Sequence, residues 1–156
     1  MPNLFPENYQ SQTITSEEVT AADETVGYKQ SVYYDYKNGE IVRDGQNKVL
    51  TATGIQAWET WCYKCLNTER YTCAAYSSDF GIEAEKALAA ESKEEAEAIL
   101  TLQITEALMA DPYKRTQYIS DITFNWIAPD SVEVSVTAYG IYNASIDIIT
   151  TLGKVA

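Results

Sequence analysis

The spacing of hydrophobic and polar positions divides the chain into strands, helices and further strands. Near the start, "SVYYDY" (31–36) is rich in aromatic and β-branched residues, an Asn-Gly turn follows, and "IVR" (41–43) resumes the apolar pattern. This pattern is typical of a β-hairpin. A second turn at Asp44 and Gly45 precedes "KVLTAT" (48–53), which predicts a third short strand.

The first predicted helix covers residues 54–67. Thr53 is its candidate N-cap, and Gln56 stands three residues later at the position of a capping box. Apolar residues recur at three- and four-residue steps, so the helix should present one apolar face. That face consists of Ile55, Trp58, Trp61, Cys62, Cys65 and Leu66.

A short helical segment is predicted over residues 81–90 and a longer helix over residues 93–110. Ser92 and Glu95 repeat the capping-box signature at the start of the longer helix. The helix should end before Pro112, because the residue preceding proline disfavours helical backbone angles.

The last third of the chain predicts strands. The segments are "YISDITFNWI" (118–127), "VEVSVTAYGIY" (132–142) and "ASIDIITTL" (144–152), and the second alternates valine with polar residues as a half-buried strand does. The element order predicts an α+β fold with a mostly antiparallel sheet, an N-terminal hairpin, two main helices and C-terminal strands.

Residues 1–27 differ from the remainder of the chain. They contain no Lys or Arg, few large apolar residues, and the acidic residues Glu7, Glu17, Glu18, Asp23 and Glu24. We therefore expect an extended or flexible N-terminal arm at 1–27, a folded domain at 28–142 and a C-terminal strand or tail at 143–156.

Charge and composition exclude several classes of function. The formal charge of −12 argues against nucleic-acid binding, which needs clustered Lys and Arg. The chain contains no histidine, so Ser-His and Cys-His catalysis and the commonest metal ligand are excluded. The sequence shows no secretory signal and no apolar run long enough to span a membrane, so neither export nor membrane contact is expected.

Three cysteines raise the question of a metal site. Cys62 and Cys65 have the C-x2-C spacing, and Cys73 is the third. A structural zinc site needs four ligands, mostly Cys and His, so we expect reduced core cysteines and no metal or other cofactor.

The segment that follows the first helix concentrates charged residues. Glu69 with Asp79 or Glu83 offers the paired carboxylates of a lysozyme-like glycoside hydrolase, if the two groups face one another across a cleft. Arg70, directly after the helix, is expected to form a clamp, either within the chain or to a neighbouring subunit.

The motifs in their order resemble a known family. They are "VYYDYKNGEIV", G-x-x-A at 54–57, W-x-x-K-x-L-x-T-E-R-Y at 61–71, Y-S-x-D-F-G-x-E at 76–83, E-A-L-x-x-D-P-Y at 106–113, and the strands I-x-x-I-x-F and V-x-V-x-V-T. The chain resembles the small baseplate wedge proteins, or sheath initiators, of contractile phage tails and R-type bacteriocins. The branch that it is most similar to is that of Bacillus-type defective prophages.

The resemblance implies a structural protein and not an enzyme. Such a protein would be assembled in the bacterial cytoplasm as part of the particle baseplate. It would join the larger wedge subunits and the tail tube or hub proteins to the first ring of sheath protein, and it would template sheath assembly by sharing strands.

The resemblance also implies roles for particular residues. Glu69, Arg70, Asp79 and Gly81 would lock the loop or contact subunits. In the wider family this loop carries a Glu-Pro-Arg-like signature, and here Thr68, Glu69 and Arg70 occupy the comparable place without the proline. The candidate strand offered to the sheath comprises Ser145, Ile146, Asp147, Ile148 and Ile149.

Three hypotheses therefore remain open from the sequence. The first is the assembly protein that the resemblance implies. The second is the hydrolase based on paired carboxylates. The third is a binding module with an acidic face, unrelated to contractile tails.

Overall fold

The computed structural model describes residues 30–36 and 38–153. The predicted arm at 1–27 lies outside the described residues, as do Lys37 and residues 154–156. The fold class is α+β, as the sequence predicts.

The elements follow the predicted order. The helices are α1 (Gly54–Leu66), α2 (Ala84–Leu88) and α3 (Lys93–Met109). The strands are β1 (Ser31–Val32), β2 (Tyr34–Asp35), β3 (Glu40–Ile41), β4 (Thr51–Ala52), β5 (Thr116–Ala128), β6 (Ser131–Gly140) and β7 (Ser145–Gly153).

The main sheet contains three antiparallel strands in the order β5-β6-β7. The central strand β6 alternates as predicted, so Val132, Val134, Val136 and Ala138 are all buried on one face. Because successive side chains of a strand point to opposite faces, the polar residues between them form the outer face of the sheet.

Helices α1 and α3 cover the apolar face of this sheet. The helices contribute Trp58, Cys62, Cys65, Leu66, Leu100, Ile104, Ala107 and Leu108 to the core, and β7 contributes Ile146, Ile148 and Leu152. Full burial of one such large apolar side chain stabilises a protein by roughly 1.5–3 kcal/mol. The sheet and the two helices therefore share a single core.

The two predicted capping boxes have different outcomes. Ser92 caps α3, because its Oγ accepts a hydrogen bond from the backbone N–H of Glu95 at 3.1 Å. The Glu95 side chain reaches back to the N–H of Glu91 at 3.2 Å. Thr53 precedes α1 with an extended backbone but makes no side-chain capping bond, so the capping box predicted there is wrong.

The predicted hairpin is confirmed and folds back on itself. β2 pairs with β3, and β1 pairs with β4 at the other end of the segment. The N–H of Tyr33 donates to the carbonyl of Leu50, and the carbonyl of Tyr33 accepts from the N–H of Val42, each at 3.0 Å. The ring of Tyr36 stacks on Tyr63 with centroids 5.4 Å apart, which places the hairpin against α1.

A buried ion pair forms the corner between α3 and β5. Arg115 donates from Nε to Oδ2 of Asp111 at 2.7 Å and from Nη2 to Oδ1 at 2.9 Å. Both side chains are almost fully buried, and the guanidinium lies 5.6 Å from the ring of Trp61. The two parallel N–H···O bonds fix the geometry as well as the charge balance of the corner.

We expect Arg115→Met to lower the free energy of unfolding by about 3–5 kcal/mol, because it leaves the Asp111 carboxylate buried without its counter-charge. Urea unfolding followed by tryptophan fluorescence measures the loss. Lys86→Met is the control, since the Lys86 side chain is 74% exposed and its 3.6 Å pair with Glu83 should contribute less than about 1 kcal/mol. Equal losses in the two variants would contradict the assigned role of the buried pair.

Candidate functional site

The connector, residues 67–83, joins α1 to α2 and closes on itself through its backbone. The N–H of Arg70 donates to the carbonyl of Ile82 at 3.0 Å, and the N–H of Ile82 donates to the carbonyl of Thr68 at 3.1 Å. Glu69 and Ile82 accordingly form a short parallel bridge. The two ends of the loop are therefore held side by side beneath the end of α1.

Gly81 occupies a position in the connector that only glycine fits. Its φ is +90°, in the region that L side chains rarely adopt. A Cβ atom at this position would lie 2.5 Å from the carbonyl oxygen of Thr68 and 3.2 Å from the backbone nitrogen of Arg70. The close pairing of the two ends of the connector thus depends on the missing side chain.

Arg70 clamps the connector within its own chain. Its Nε donates to the carbonyl of Gly81 at 3.0 Å, and its Nη1 lies 3.9 Å from a carboxylate oxygen of Glu106 on α3. The Arg70 side chain is only 11% exposed, and its Nη2 is buried without a hydrogen-bond partner among the described residues. The hydrogen bond to Gly81 is the stronger of the two contacts of Arg70, because an ion pair at 3.9 Å with an exposed glutamate contributes little to stability.

Glu69 caps the start of α2. Its carboxylate accepts a hydrogen bond from the N–H of Ala84 at 3.2 Å. Burial raises the pKa of the Glu69 carboxyl, the bond from Ala84 opposes that rise, and the nearby carboxylates of Glu85 and Glu83 add to it. A raised pKa in a carboxyl group can accompany catalysis, but buried structural groups show it too.

The two carboxylates that the sequence offers as partners of Glu69 in a hydrolase, those of Asp79 and Glu83, do not line the same cavity as Glu69. Glu69 lines a cavity of about 640 Å³ between the end of α1, α2 and the end of β7. Neither Asp79 nor Glu83 is part of that lining, and Asp79 lies on the exposed surface of the connector. The arrangement expected of a glycoside hydrolase, two carboxyl groups flanking one cleft, is thus not formed by these residues.

The cysteines do not form a metal site in the described part of the chain. Cys62 and Cys65 are buried in the core, whereas Cys73 is exposed. Burial raises the pKa of the Cys65 thiol to about 11 and raises that of Cys62 as well, so both remain protonated at neutral pH. Metal binding requires thiolates, and no group of three or more candidate ligands occurs in residues 30–36 and 38–153.

The candidate strand residues lie in β7, at an edge of the main sheet. Ile146 and Ile148 point into the core, while Ser145, Asp147 and Ile149 are exposed. The backbone N–H of Ile149 donates to the Tyr63 hydroxyl at 3.4 Å, so it points away from β6. In antiparallel strands the N–H and C=O of one residue point to the same side, and this side alternates along the strand. Alternate residues of β7 therefore direct their backbone polar groups outward.

A groove runs between the outer edge of β7, one face of α1 and the hairpin. Its volume is about 1080 Å³. The described lining consists of Tyr33, Tyr34, Asp35, Tyr36, Gln56, Glu59, Thr60, Tyr63, Asn67, Glu133, Asp147, Ile149, Thr150 and Thr151. We call this space the β7 groove.

Sequence reasoning missed the buried ion pair and the β7 groove. Asp111 precedes a proline and stands four residues before Arg115, which is a spacing that could have suggested the pair. The β7 groove has no such signal, because the hairpin tyrosines and β7 are about a hundred residues apart in the sequence and meet only in the fold.

We expect Gly81→Ala to destabilise the protein by about 2 kcal/mol or more, because a strained φ alone costs of order 1–3 kcal/mol and the Cβ contact adds to that cost. Thermal and urea unfolding measure the effect. Gly45→Ala is the matched control, since nothing lies within 4 Å of the Cβ position there. A loss at position 81 no greater than at position 45 would show that the connector can open to admit a side chain.

The raised pKa of Glu69 predicts a pH dependence of stability. Because the folded pKa exceeds the unfolded value, the folded state binds the proton more tightly, and the Glu69 contribution to stability falls as pH rises from the unfolded pKa through the folded pKa. Glu69→Gln removes this dependence while retaining an oxygen that can accept from Ala84. The variant should gain stability relative to the wild type between acidic and neutral pH, as measured by urea unfolding across that window. A difference in stability that does not change with pH would refute the assigned shift.

A model of a known protein family matches most of the chain. It is described as "contractile injection system sheath initiator" and matches residues 30–143, so the match ends just before β7 begins. No curated protein matches the chain. No helix in the described residues is long and apolar enough to cross a membrane. The chain therefore belongs to the contractile injection system sheath initiator family, whose members are structural components of the baseplate in contractile tails.

Proposed function

We propose that this protein starts sheath assembly by presenting the outer edge of β7 to an extended segment of the first sheath ring. The single observation that carries the proposal is that β7 pairs with β6 on one side and, within the described residues, with no strand on the other. An open sheet edge offers a row of N–H and C=O groups to a further strand.

The two edges of the main sheet are not equivalent. The pairing of β7 with β6 continues without a break from Ser145 to Gly153. The pairing of β5 with β6 shifts register at three places, and Asp121, in one of those shifts, has a φ of +48°. Bulges twist an edge and hinder its pairing with another chain. The regular edge at β7 is therefore the better acceptor for a strand.

In this proposal β7 receives a strand and is not itself released to the sheath. Ile146, Ile148 and Leu152 of β7 pack into the common core. Withdrawal of β7 would expose these side chains, each of which stabilises the fold by roughly 1.5–3 kcal/mol when buried. Strand sharing thus takes place at the backbone edge while the side chains of β7 stay in place.

The larger wedge subunits and the tail tube or hub proteins are the other proposed partners, and the particle baseplate is the proposed location. The connector supports this assignment, because it is locked internally by Arg70 and Gly81 yet exposes Tyr71, Tyr76 and Asp79. Tyrosine is common at interfaces, where its ring buries area and its hydroxyl stays polar. A rigid connector with exposed aromatic residues suits a permanent subunit contact and not a catalytic cleft.

We expect Ile149→Pro to block sheath initiation while the protein still folds. Proline removes the outward N–H of residue 149, which donates to the Tyr63 hydroxyl in the free chain and would donate to the incoming strand in its place. It also puts a ring where that strand would pair, yet an edge strand tolerates it because the N–H does not bond to β6. Baseplates that carry the variant should recruit few sheaths when mixed with sheath protein, as counted by electron microscopy.

Ile149→Ala is the matched control for this experiment. It removes the same side chain, which is 57% exposed, but keeps the N–H. Circular dichroism and thermal unfolding establish that both variants are folded. If baseplates with Ile149→Pro assemble sheaths as efficiently as those with Ile149→Ala, the edge of β7 does not take part in initiation.

A further inference from the structure

The chemistry of the β7 groove points to a particular kind of strand. We propose that the groove receives an extended segment that carries Lys or Arg side chains on the face shared with Asp147 and Glu133. This inference rests on the proposed pairing at β7 and adds the charge pattern of the partner.

The charges of the groove have one sign among its described lining residues. Four of these residues carry carboxylates, namely Asp35, Glu59, Glu133 and Asp147, and none is Lys or Arg. They come from β2, α1, β6 and β7, so four separate elements bring them to one space. Charge complementarity of this kind selects partners and steers their approach.

The positions of the Asp147 and Glu133 carboxylates determine the spacing expected between the Lys or Arg residues of the partner strand. Asp147 is opposite Thr137 in the register, and Glu133 is opposite Thr151. Asp147 and Thr151 are four residues apart on β7, which corresponds to roughly 13 Å along a strand at about 3.3 Å per residue. Asp147 directly adjoins a strand paired at this edge, whereas Glu133 lies one strand further in, so a Lys or Arg side chain opposite Thr151 would extend across Thr151 to reach it. A paired strand would therefore carry its cations four residues apart on the outer face of the sheet.

Tyrosine rings form the wall of the groove on the side of the hairpin. The rings of Tyr34 and Tyr36 meet edge to face at 4.6 Å, and Tyr36 stacks on Tyr63. Such a wall offers apolar surface against which the long stems of Lys or Arg side chains can pack. The carboxylates therefore carry the charge preference of the groove, and the tyrosine rings add contact area.

The same chemistry disfavours two competing occupants. Residues 1–27 of this chain are joined to the hairpin that forms one wall, but they carry five carboxylates and no Lys or Arg. A second copy of this chain, at a net charge of −12, would bring another β7 edge with its own Asp147. Like charges opposite each other are destabilising, so a basic segment of another protein is the occupant that the groove fits.

Peptide binding to the full-length protein tests the proposal. The probe is a nine-residue peptide that alternates Thr and Val, with Lys at its third and seventh positions, and the matched peptide has Glu at those positions. Fluorescence anisotropy at low salt should show the Lys peptide binding about tenfold or more tightly than the Glu peptide, and the difference should shrink at high salt because the charges are exposed.

A double variant identifies the residues responsible. Asp147→Asn with Glu133→Gln should reduce the preference for Lys to within about twofold, whereas Glu91→Gln with Glu94→Gln should leave it unchanged. Glu91 and Glu94 are exposed around the start of α3 and do not line the groove. Equal binding of the Lys and Glu peptides, or a preference that survives the Asp147 and Glu133 substitutions, would overturn the inference.

Two further measurements separate this inference from the proposed function. Two further Lys peptides carry N-methyl groups on the backbone nitrogens of their odd-numbered or of their even-numbered residues. If the peptide pairs with β7, one of the two should lose binding, because only alternate N–H groups face β7. If both still bind and the preference for Lys is intact, strand pairing is overturned but the charge preference is not. A synthetic peptide of residues 1–27 should not displace the Lys peptide, and displacement would make the chain's own arm the occupant.

Discussion

The arrangement of the whole domain depends on the corner that Asp111 and Arg115 hold between α3 and β5. The same corner bonds outward to the neighbouring elements, since the carbonyl of Arg115 accepts from the N–H of Ile141 and the hydroxyl of Thr116 accepts from Nε1 of Trp58. The buried pair holds the turn from α3 into β5, and the bonds of Arg115 and Thr116 connect that turn to α1 and to the end of β6. Asp111 and Arg115 stabilise the fold only together, because either charge buried without the other would lower the free energy of unfolding.

The connector depends on that packed frame in turn. α3 supplies Glu106 opposite Arg70, and it also supplies Gln103, whose Oε1 accepts from the N–H of Glu83 at 2.9 Å. These contacts tie the residues around Gly81 to the helix layer. Glu69 and Arg70 are therefore engaged in holding the shape of the connector, and the partial burial that accompanies this packing is the main cause of the raised pKa of Glu69.

Elements governed by local physics could be predicted from the sequence. The alternating valines of β6 and the serine cap of α3 behave as expected, because each depends on neighbours a few residues away. The sequence also predicts a cap at Thr53 that does not form, since the sequence alone does not decide whether that hydroxyl turns toward the helix. The groove could not be predicted at all, because its walls come from distant segments that only the fold brings together.

An open edge strand is a hazard for a free subunit, because it can pair with any other exposed strand. The usual protection is a bulge or a charge, and the sheet uses both in different places. β5 has its register shifts around Asp121, whereas β7 keeps a regular edge and carries Asp147 beside it. A charge deters pairing between copies of the same acidic chain but does not distort the backbone. In the proposed role, such an edge would disfavour self-association through its charge while keeping a regular backbone for a partner of opposite charge, which is the combination that a template for one specific assembly requires.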